Sequence, residues 1–447
     1  MDYDGHRVGV GRLGRLVLGG AAGSVLLLVA ALATSVVVAE TTSSDPDWTG
    51  SASENVSHSD LDRAWHPDLA ADSSGQIVVV WSDETAAGGR DIYYASGTGG
   101  AWSTPQVVSD TAHSSLFPYA LAVGDRHFVA WVDDLSPGKN ILEAEIGSGQ
   151  TREIPSPVAP EYLQPCLAAS TDRLHVVFSG SDRNVPDLYH ASRPLLGTSW
   201  PLAERIYTST AFYGSVHPAL AIGPDGSTLH LAWENKDTDL RSILYMSGTV
   251  SGAAVNWSSA ITLSTGISRS LRPDLAVASN GDVHVTWAEV GEAGYEHEQY
   301  VRYVRYDAVS GLWSYPAVRI DPELVQVHQD SPTYIGPAIA VWEEDGDTDV
   351  CIAWHGFRAG DPGAEEVLLR CSADGGETWT AATENVSRST TQAGWEVSIR
   401  PLIAFDISGT LHAVWQERAG SNVTEDYEVY HSASWRKVFL PLVVRNG

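Results

Sequence analysis

The sequence predicts an all-β protein: a seven-bladed β-propeller of four-stranded antiparallel blades, closed by an N-terminal strand. A strand-turn-strand pattern recurs seven times, further apolar runs follow the copies, and a four-residue motif near the N-terminus is duplicated within the sixth copy. No helical period is sustained outside the extreme N-terminus. We expect a leader at residues 1–39, a linker at 40–47, the propeller at 48–435 and a tail at 436–447.

The recurring unit is clearest at residues 271–290, where two alternating apolar runs flank Asn280-Gly281. This pattern is a strong signal for a β-hairpin. Each copy begins at a proline, where a strand loses no ladder donor, and ends at a large aromatic residue that should pack one blade on the next. The copies span residues 67–81, 118–131, 165–178, 218–233, 273–287, 337–354 and 401–415.

A repeated motif predicts how the ring closes. Residues 54–57 read Glu-Asn-Val-Ser, and so do residues 384–387 in the fourth run of the sixth copy. The seventh copy lacks a fourth run, so residues 48–57 are predicted to supply it by pairing with residues 425–435. This pairing would remove an open sheet edge.

The N-terminus has the layout of an export signal. Arg7, Arg12 and Arg15 precede an apolar stretch at residues 16–39 that ends in small residues. Cleavage would give a secreted protein, and the alternative is an uncleaved membrane anchor through residues 16–39. In either case we expect the propeller outside the cytoplasm, secreted or held at the cell envelope.

The composition bounds the partners. A net charge of −29, with only three lysines, argues against binding nucleic acid or anionic lipid. We expect a monomer with no cofactor. We also expect no metal site, because no Cys/His spacing fits zinc. The acidic residues 345–349 lack the pattern of a calcium loop and are predicted to form a hairpin turn.

Three cysteines are too few for a disulfide framework. Cys351 and Cys371 lie on neighbouring runs of the sixth copy, and both a bridge and two free thiols stay open. Cys166 is predicted to be a small buried apolar residue.

One stretch carries a family resemblance. Residues 372–379 read Ser-Ala-Asp-Gly-Gly-Glu-Thr-Trp, and less complete versions occur at 96–102, 192–200, 247–257 and 307–313. On this motif the chain resembles the sialidase-like Asp-box (BNR repeat) β-propeller proteins over nearly all of residues 48–435. The resemblance implies a structural turn between third and fourth strands, formed by Ser372, Asp374, Gly376, Thr378 and Trp379.

Enzymes of that family hold a substrate carboxylate with three arginines, one within an Arg-Ile-Pro motif. They use a tyrosine nucleophile assisted by a glutamate, with an aspartate as acid and base. Here Arg272-Pro273 and Arg400-Pro401 lack the isoleucine, no third arginine is equivalent, and seven copies depart from the family's usual six blades. No catalytic residue is therefore assigned, since a fold alone implies no function.

Basic residues before the proline are predicted to face acids just after the aromatic. Counting outward from the turns gives favourable cross-strand pairs: Arg272 with Glu289, Arg400 with Glu417, His66 with Asp83, and His217 with Glu234. Recurrence favours a scaffold role, although these residues should line one mouth of the channel. A second recurring set is predicted to pack or hydrogen-bond rather than bind metal: His175, His230, His284 and His412.

Function should lie where the copies differ. Two loops are enlarged, residues 291–299 and 321–336, and both combine aromatic residues with carboxylates. Aromatic rings can stack on the faces of sugar rings, and carboxylates can accept hydrogen bonds from their hydroxyls. The alternative is that these are ordinary solvated loops. The candidate ligand-binding residues are Trp65, His66, Arg272, Glu289, Tyr295, Glu296, Glu298, Tyr334, Trp395, Arg400 and Glu417. The leading hypothesis is recognition of an extracellular ligand, above all a glycan. The alternatives are a sialidase-like exo-glycosidase and a scaffold for another envelope protein.

Overall fold

The computed structural model describes residues 53–434, apart from residues 60, 62, 99, 110–112, 135–137, 162–163, 183–184, 210–213, 237–240, 265–267, 291–297, 322–324, 327–335, 359–360, 389–397 and 419–425. These residues form seven antiparallel sheets and contain no helix. Accordingly, no helix long and apolar enough to cross a bilayer occurs in this part of the chain. The predicted leader, linker and tail lie outside the described residues.

The first strand of the chain completes blade seven, and the strands that follow it build blades one to three. Strand β1 is Glu54–Asn55. Blade one contains β2 (Ala64–Ala71), β3 (Ile77–Glu84), β4 (Arg90–Gly97) and β5 (Gln106–Val107). Blade two contains β6 (Ser114–Val123), β7 (Arg126–Asp134), β8 (Asn140–Glu145) and β9 (Thr151–Ile154). Blade three contains β10 (Ala159–Pro160), β11 (Cys166–Ala169), β12 (Arg173–Ser181), β13 (Asp187–Pro194) and β14 (Glu204–Tyr207).

The remaining strands complete the ring. Blade four contains β15 (Ser215–Ile222), β16 (Thr228–Asn235), β17 (Ser242–Ser251), β18 (Ala254–Trp257) and β19 (Ile261–Thr262). Blade five contains β20 (Arg269–Val277), β21 (Val283–Val290), β22 (Glu298–Asp307), β23 (Leu312–Trp313), β24 (Val318–Arg319) and β25 (Val325–Gln326). Blade six contains β26 (Ala338–Glu344), β27 (Asp347–Arg358), β28 (Asp361–Ser372) and β29 (Glu384–Asn385). Blade seven contains β30 (Ser398–Phe405), β31 (Leu411–Arg418) and β32 (Tyr427–Ala433).

The seven-bladed architecture and its closure are confirmed. Strand β1 pairs antiparallel with β32, with Glu54 opposite His431. The amide of Val56 donates to the carbonyl of Val429 at 2.8 Å, as the repeated motif predicted. Blade seven is therefore built from both ends of the propeller sequence.

The core lies between neighbouring blades. The aromatic residue near the end of each second strand is at most 1% exposed: Trp81, Trp131, Phe178, Trp233, Trp287, Trp354 and Trp415. Trp354 of blade six, for example, packs in one cluster with Leu271 and Val301 of blade five. Burying about 200 Å² per tryptophan at roughly 25 cal/mol per Å² gives about 5 kcal/mol of transfer free energy each. The predicted packing role of these aromatics is confirmed.

The recurring histidines form part of a second contact between blades. Each hydrogen-bonds a ring on the third strand of its own blade, which confirms the predicted role: His175 to His190, His230 to Tyr245, His284 to Tyr303 and His412 to His431, at 2.7–3.1 Å. A tryptophan from the next blade then packs edge-on against that third-strand ring: Trp257, Trp313, Trp379 and Trp102, with centroids 4.8–5.7 Å apart.

The turn between β28 and β29 is held by its own side chains. The hydroxyl of Ser372 accepts from the amide of Gly376, and Oδ1 of Asp374 accepts from the amide of Thr378, both at 2.8 Å. Positive φ angles at Gly375 (69°) and Gly376 (88°) let the chain reverse here. The turn thus delivers Trp379 to the blade boundary.

The structure shows the state of the three cysteines and the conformation of the acidic turn. Cys351 and Cys371 are directly opposite on β27 and β28, with Cα atoms 4.2 Å apart, and form a disulfide. Cys166 is a buried free thiol. Asp345 and Gly346 form the turn between β26 and β27, so the predicted hairpin is confirmed.

Two predicted loops are partly strand. Glu298 begins β22 and pairs with Gln326 of β25, although both were assigned to the loops at 291–299 and 321–336. The third strand of blade five is long enough to recruit a two-residue partner from the following segment.

Candidate ligand-binding site at the channel mouth

A β-bulge recurs at the start of the first strand in five blades. The residue before the proline and the proline itself together oppose the single buried aromatic of the second strand. The pre-proline residue has a positive φ of 47–55°, which is rare for a residue with a Cβ. The five residues are His66, Phe117, His217, Arg272 and Arg400.

The bulges help to bring the pre-proline residues together. The residue before the proline in all seven copies lines one cavity of about 390 Å³ at the channel mouth. The two copies without the positive φ contribute Gln164 and Gly336. Tyr119 and Asp274, from the first strands of blades two and five, line the same cavity.

Three of the four predicted cross-strand pairs are wrong. Glu289 is opposite Ser270, Glu417 opposite Ser398, and Asp83 opposite Ala64. The bulge shifts the register by one residue, and a three-residue turn, where two were assumed, shifts it by one more. In blade five, for example, the amide of Ala278 bonds the carbonyl of Asp282 across that turn. The acids bind elsewhere: Glu289 bridges Arg302 at 2.9 Å, and Glu417 accepts from Ser398 and Trp415.

In the fourth pair the two side chains do meet, although the register is again shifted and Glu234 is opposite Val216. His217 Nδ1 lies 3.0 Å from Oε2 of Glu234, because the longer turn of blade four leaves only the bulge to shift the register. Glu234 is fully buried and also contacts Arg241 at 3.0 Å and Lys236 at 3.7 Å. Its Oε2 accepts from the backbone amide of Arg272 at 3.3 Å, which joins blade four to the bulge of blade five.

Two arginines supply positive charge to the mouth. A Cβ at Gly336 would lie 3.5 Å from Cδ of Arg272, an ordinary van der Waals contact, so the Arg272 side chain lies beside the start of blade six. Desolvation lowers the pKa of His66, and the charges of Arg400, Arg90 and Arg272 lower it further. Desolvation also lowers the pKa of His217. At neutral pH the two imidazoles therefore contribute hydrogen-bonding groups rather than charge.

Two aspartates lie on first strands near the mouth: Asp68 is buried, and Asp274 is half-buried. Burial raises the pKa of Asp68 to about 8 and that of Asp274 to about 6. Each carboxyl group accepts a backbone amide from the following blade: Asp68 from Ala120 and Asp274 from Ile339, both at 2.9 Å. These carboxyl groups fix neighbouring first strands to one another.

Sequence reasoning missed His355. It is 1% exposed on β27, and within the described residues neither ring nitrogen has a hydrogen-bond partner. Desolvation lowers its pKa to about 3, and the charges of Arg400 and Arg272 contribute. Phe117, Gln164 and Gly336 were also missed, although aligning the residues before the seven prolines would have found them.

The other candidates are dispersed or undescribed. Trp65 lies in β2 rather than in a loop, and the guanidinium of Arg90 covers its ring at 3.9 Å. Tyr295, Glu296, Tyr334 and Trp395 lie outside the described residues, as does the side chain of Glu298. Within the described ranges, no group of three or more His, Cys, Asp or Glu side chains is placed to hold a metal ion.

Comparison with known proteins shows which solved structures share this fold. No family model and no curated protein matches the chain. It is similar to a solved protein of unknown function from Dyadobacter fermentans, with a TM-score of 0.51 at 11% identity, covering 86% of this chain and 99% of that one. The likeness shows a shared fold.

Two solved enzymes are equally similar. The phage phi92 endosialidase has a TM-score of 0.51 at 10% identity, covering 89% of this chain and 71% of that one. The polysaccharide lyase Uly1 has a TM-score of 0.51 at 8% identity, covering 82% and 88% respectively. At such identities the likeness shows a shared architecture and nothing about the site.

Proposed function

We propose that this protein binds an anionic extracellular glycan at the channel mouth. The observation that carries the proposal is the convergence of the seven pre-proline residues, two of them arginines, on one cavity. A guanidinium matches the geometry of a carboxylate and can donate two parallel hydrogen bonds to it. Phe117 and Tyr119 add aromatic rings to the lining of the same cavity, and aromatic rings can pack against sugar rings.

Two features support a ligand site over a purely structural role. Five side-chain-bearing residues hold a left-handed conformation that costs about 1 kcal/mol or more each, and such strain clusters at binding sites. His355 is buried near two arginines with unused ring nitrogens in the described structure. A buried imidazole without a partner is costly, and a bound polar group or water would relieve that cost.

Binding is favoured over hydrolysis. Among the described residues lining the cavity there are two arginines rather than three, and the one carboxylate is Asp274. Both oxygens of Asp274 accept backbone amides, from Leu275 and Ile339, which fits a structural role better than proton transfer. The fold shared with an endosialidase and a polysaccharide lyase supports a glycan as the class of ligand.

We also propose that the chain is an Asp-box propeller and that it is exported. The side-chain-held turn at residues 372–379 supports assignment of the chain to the Asp-box propellers. The arginines and apolar stretch before residue 40 support export, by cleavage or as an anchor. A disulfide in blade six agrees with an oxidising compartment.

Glycan binding is tested with residues 40–447 and three probes: 3′-sialyllactose, trigalacturonate and uncharged lactose. An acidic probe should bind and lactose should not. Arg272→Ala and Arg400→Ala should each weaken binding about 10- to 100-fold, because a charge-assisted hydrogen bond contributes about 1.5–3 kcal/mol. Arg205→Ala is the matched control, because Arg205 pairs with Asp182 and Asp187 on the outer part of blade three.

Equal affinity of both mouth variants and the wild type would contradict the site. A fluorogenic sialoside separates the enzyme alternative, because turnover abolished by Arg272→Ala would establish a hydrolase. Capture of a defined envelope protein with no glycan bound would instead support a scaffold.

A further inference from the structure

The ring closes beside a pair of buried histidines. His412 on β31 and His431 on β32 are 1% and 3% exposed, and His412 Nδ1 lies 3.0 Å from His431 Nε2. His431 is opposite Glu54 of β1, the strand that completes blade seven from the other end of the propeller. The pair therefore lies at the one blade that the chain assembles from distant segments.

Blade one covers the pair. Trp102 packs edge-on against His431 with ring centroids 4.8 Å apart. Its indole nitrogen donates to Oε2 of Glu54 at 3.0 Å. Glu54 and Trp102 thus form a lid over His431 that exists only while β1 is paired and blade one is packed against blade seven.

Four blades contain this arrangement, but its chemistry differs. In blades four and five the third-strand ring is a tyrosine, Tyr245 or Tyr303, whose hydroxyl does not gain a charge in mild acid. In blades three and seven it is a histidine, His190 or His431. Blade three is continuous in the chain, so its histidine pair lies away from the closure.

The charged groups that face the closure pair come from two directions. Asp406, in the turn between β30 and β31, places Oδ2 3.2 Å from His412 Nε2. Glu54 lies beside His431 on β1. In the blade-three pair the group facing His175 Nε2 is the hydroxyl of Ser170, at 3.0 Å.

We propose that the His412–His431 pair is an acid-sensitive latch on the ring closure, released when His431 gains a proton. The hydrogen bond between the rings needs one nitrogen without a proton, so the closed pair holds at most one positive charge. Asp406 compensates a first charge on His412. A second proton, on His431, removes the last acceptor and sets two N–H groups against each other beneath Trp102.

The pKa of His431 shifts in the direction that the latch requires. Burial, with a contribution from the neighbouring His412, lowers the pKa of His431 to about 3. Opening the closure exposes His431 to water, where its pKa returns to about 6.5. Between these values opening takes up a proton, so the opening equilibrium rises as the pH falls, by about tenfold for each pH unit in the middle of the interval, on account of His431.

Hydrogen exchange of β1 and β32 in wild-type protein and in His431→Tyr tests the latch. The substitution copies the His–Tyr pair of blades four and five. Exchange rates are divided by the intrinsic rates at each pH. The ratio of wild-type to variant opening should rise about 16-fold between pH 6.5 and pH 5.0, because the exposed imidazole is about half protonated at pH 6.5 and almost fully protonated at pH 5.0.

His190→Tyr is the matched control, because it makes the same substitution in blade three. It should leave the pH dependence of β1 opening at the wild-type value. Equal slopes for wild type and His431→Tyr, or equal flattening by His190→Tyr, would overturn the latch. If His431→Tyr does not fold, the wild type alone decides: β1 must open with a steeper pH dependence than β23 of blade five, and equal slopes refute the proposal.

Discussion

Replacing Glu234 by glutamine tests how the mouth is held together. Glutamine preserves the shape but removes the charge that contacts His217, Arg241 and Lys236. It also turns one acceptor into a donor. Because Glu234 is fully buried, the surrounding cations would lose their counter-charge where water cannot replace it.

The magnitude follows from two independent estimates. Burial raises the pKa of Glu234, but the hydrogen bond from His217 and the charges of Lys236 and Arg241 oppose burial, and the pKa is held at about 2. A shift of that size from the ordinary value near 4.5 corresponds to about 3 kcal/mol. Removing one partner of a buried ion pair costs about 3–5 kcal/mol. We expect Glu234→Gln to lower the free energy of unfolding by about 3–4 kcal/mol at pH 7.

The difference in unfolding free energy between wild type and Glu234→Gln should depend on pH. A carboxylate with a depressed pKa stabilises the fold above its unfolded pKa, and that stability is lost as the pH falls through the folded pKa. The difference between wild type and Glu234→Gln should therefore shrink below pH 4.5, to about 2 kcal/mol at pH 3.5.

Guanidinium unfolding followed by tryptophan fluorescence measures these differences. Glu289→Gln is the matched control, since among the described residues Glu289 has one ion pair, to Arg302, whose side chain is 27% exposed. We expect a loss of about 1 kcal/mol there. A loss below 1 kcal/mol for Glu234→Gln, or a difference from wild type that does not change with pH, would refute the role assigned to this carboxylate.

Two further predictions concern blade six. Gly376→Ala should lower the free energy of unfolding by about 2–4 kcal/mol, since φ is 88° and a Cβ would overlap the Tyr303 hydroxyl. Gly346→Ala, where φ is 95° and a Cβ meets nothing within 4 Å, isolates the backbone strain at about 1 kcal/mol; equal losses would exclude the overlap. Replacing Cys351 and Cys371 by serine should cost about 3 kcal/mol in denaturant, because the bridge closes a loop of 20 residues. Unchanged stability would show that the bridge constrains little.

Much of the fold was predictable because its signals are local. Each Pro-to-aromatic copy encodes a hairpin within about 15 residues, and packing such hairpins in a ring needs no information beyond their number. The copied motif at residues 54–57 even identified the closing strand, confirmed by the pairing of Glu54 with His431. The histidine hydrogen bonds followed from the same recurrence.

The candidate site was only half predictable. His66, Arg272 and Arg400 were named, and they line the cavity, but their partners were assigned wrongly. A bulge and a longer turn each shift the register by one residue, and the two shifts together keep the pairing in phase, so counting along the sequence cannot detect them. Phe117 carried no polar signal, and His355 is significant only because the fold buries it near two arginines.

The sequence by itself determined the number of blades, the aromatic boundary of each and the segment that closes the ring. These depend on periodicity and on the burial of large apolar side chains, which are properties of short stretches. Only the tertiary structure decided which residues share the mouth, that Cys351 and Cys371 are bridged, and that His431 lies beneath Trp102. These depend on register and on contacts between distant segments, where a shift of one residue turns a side chain to the other face.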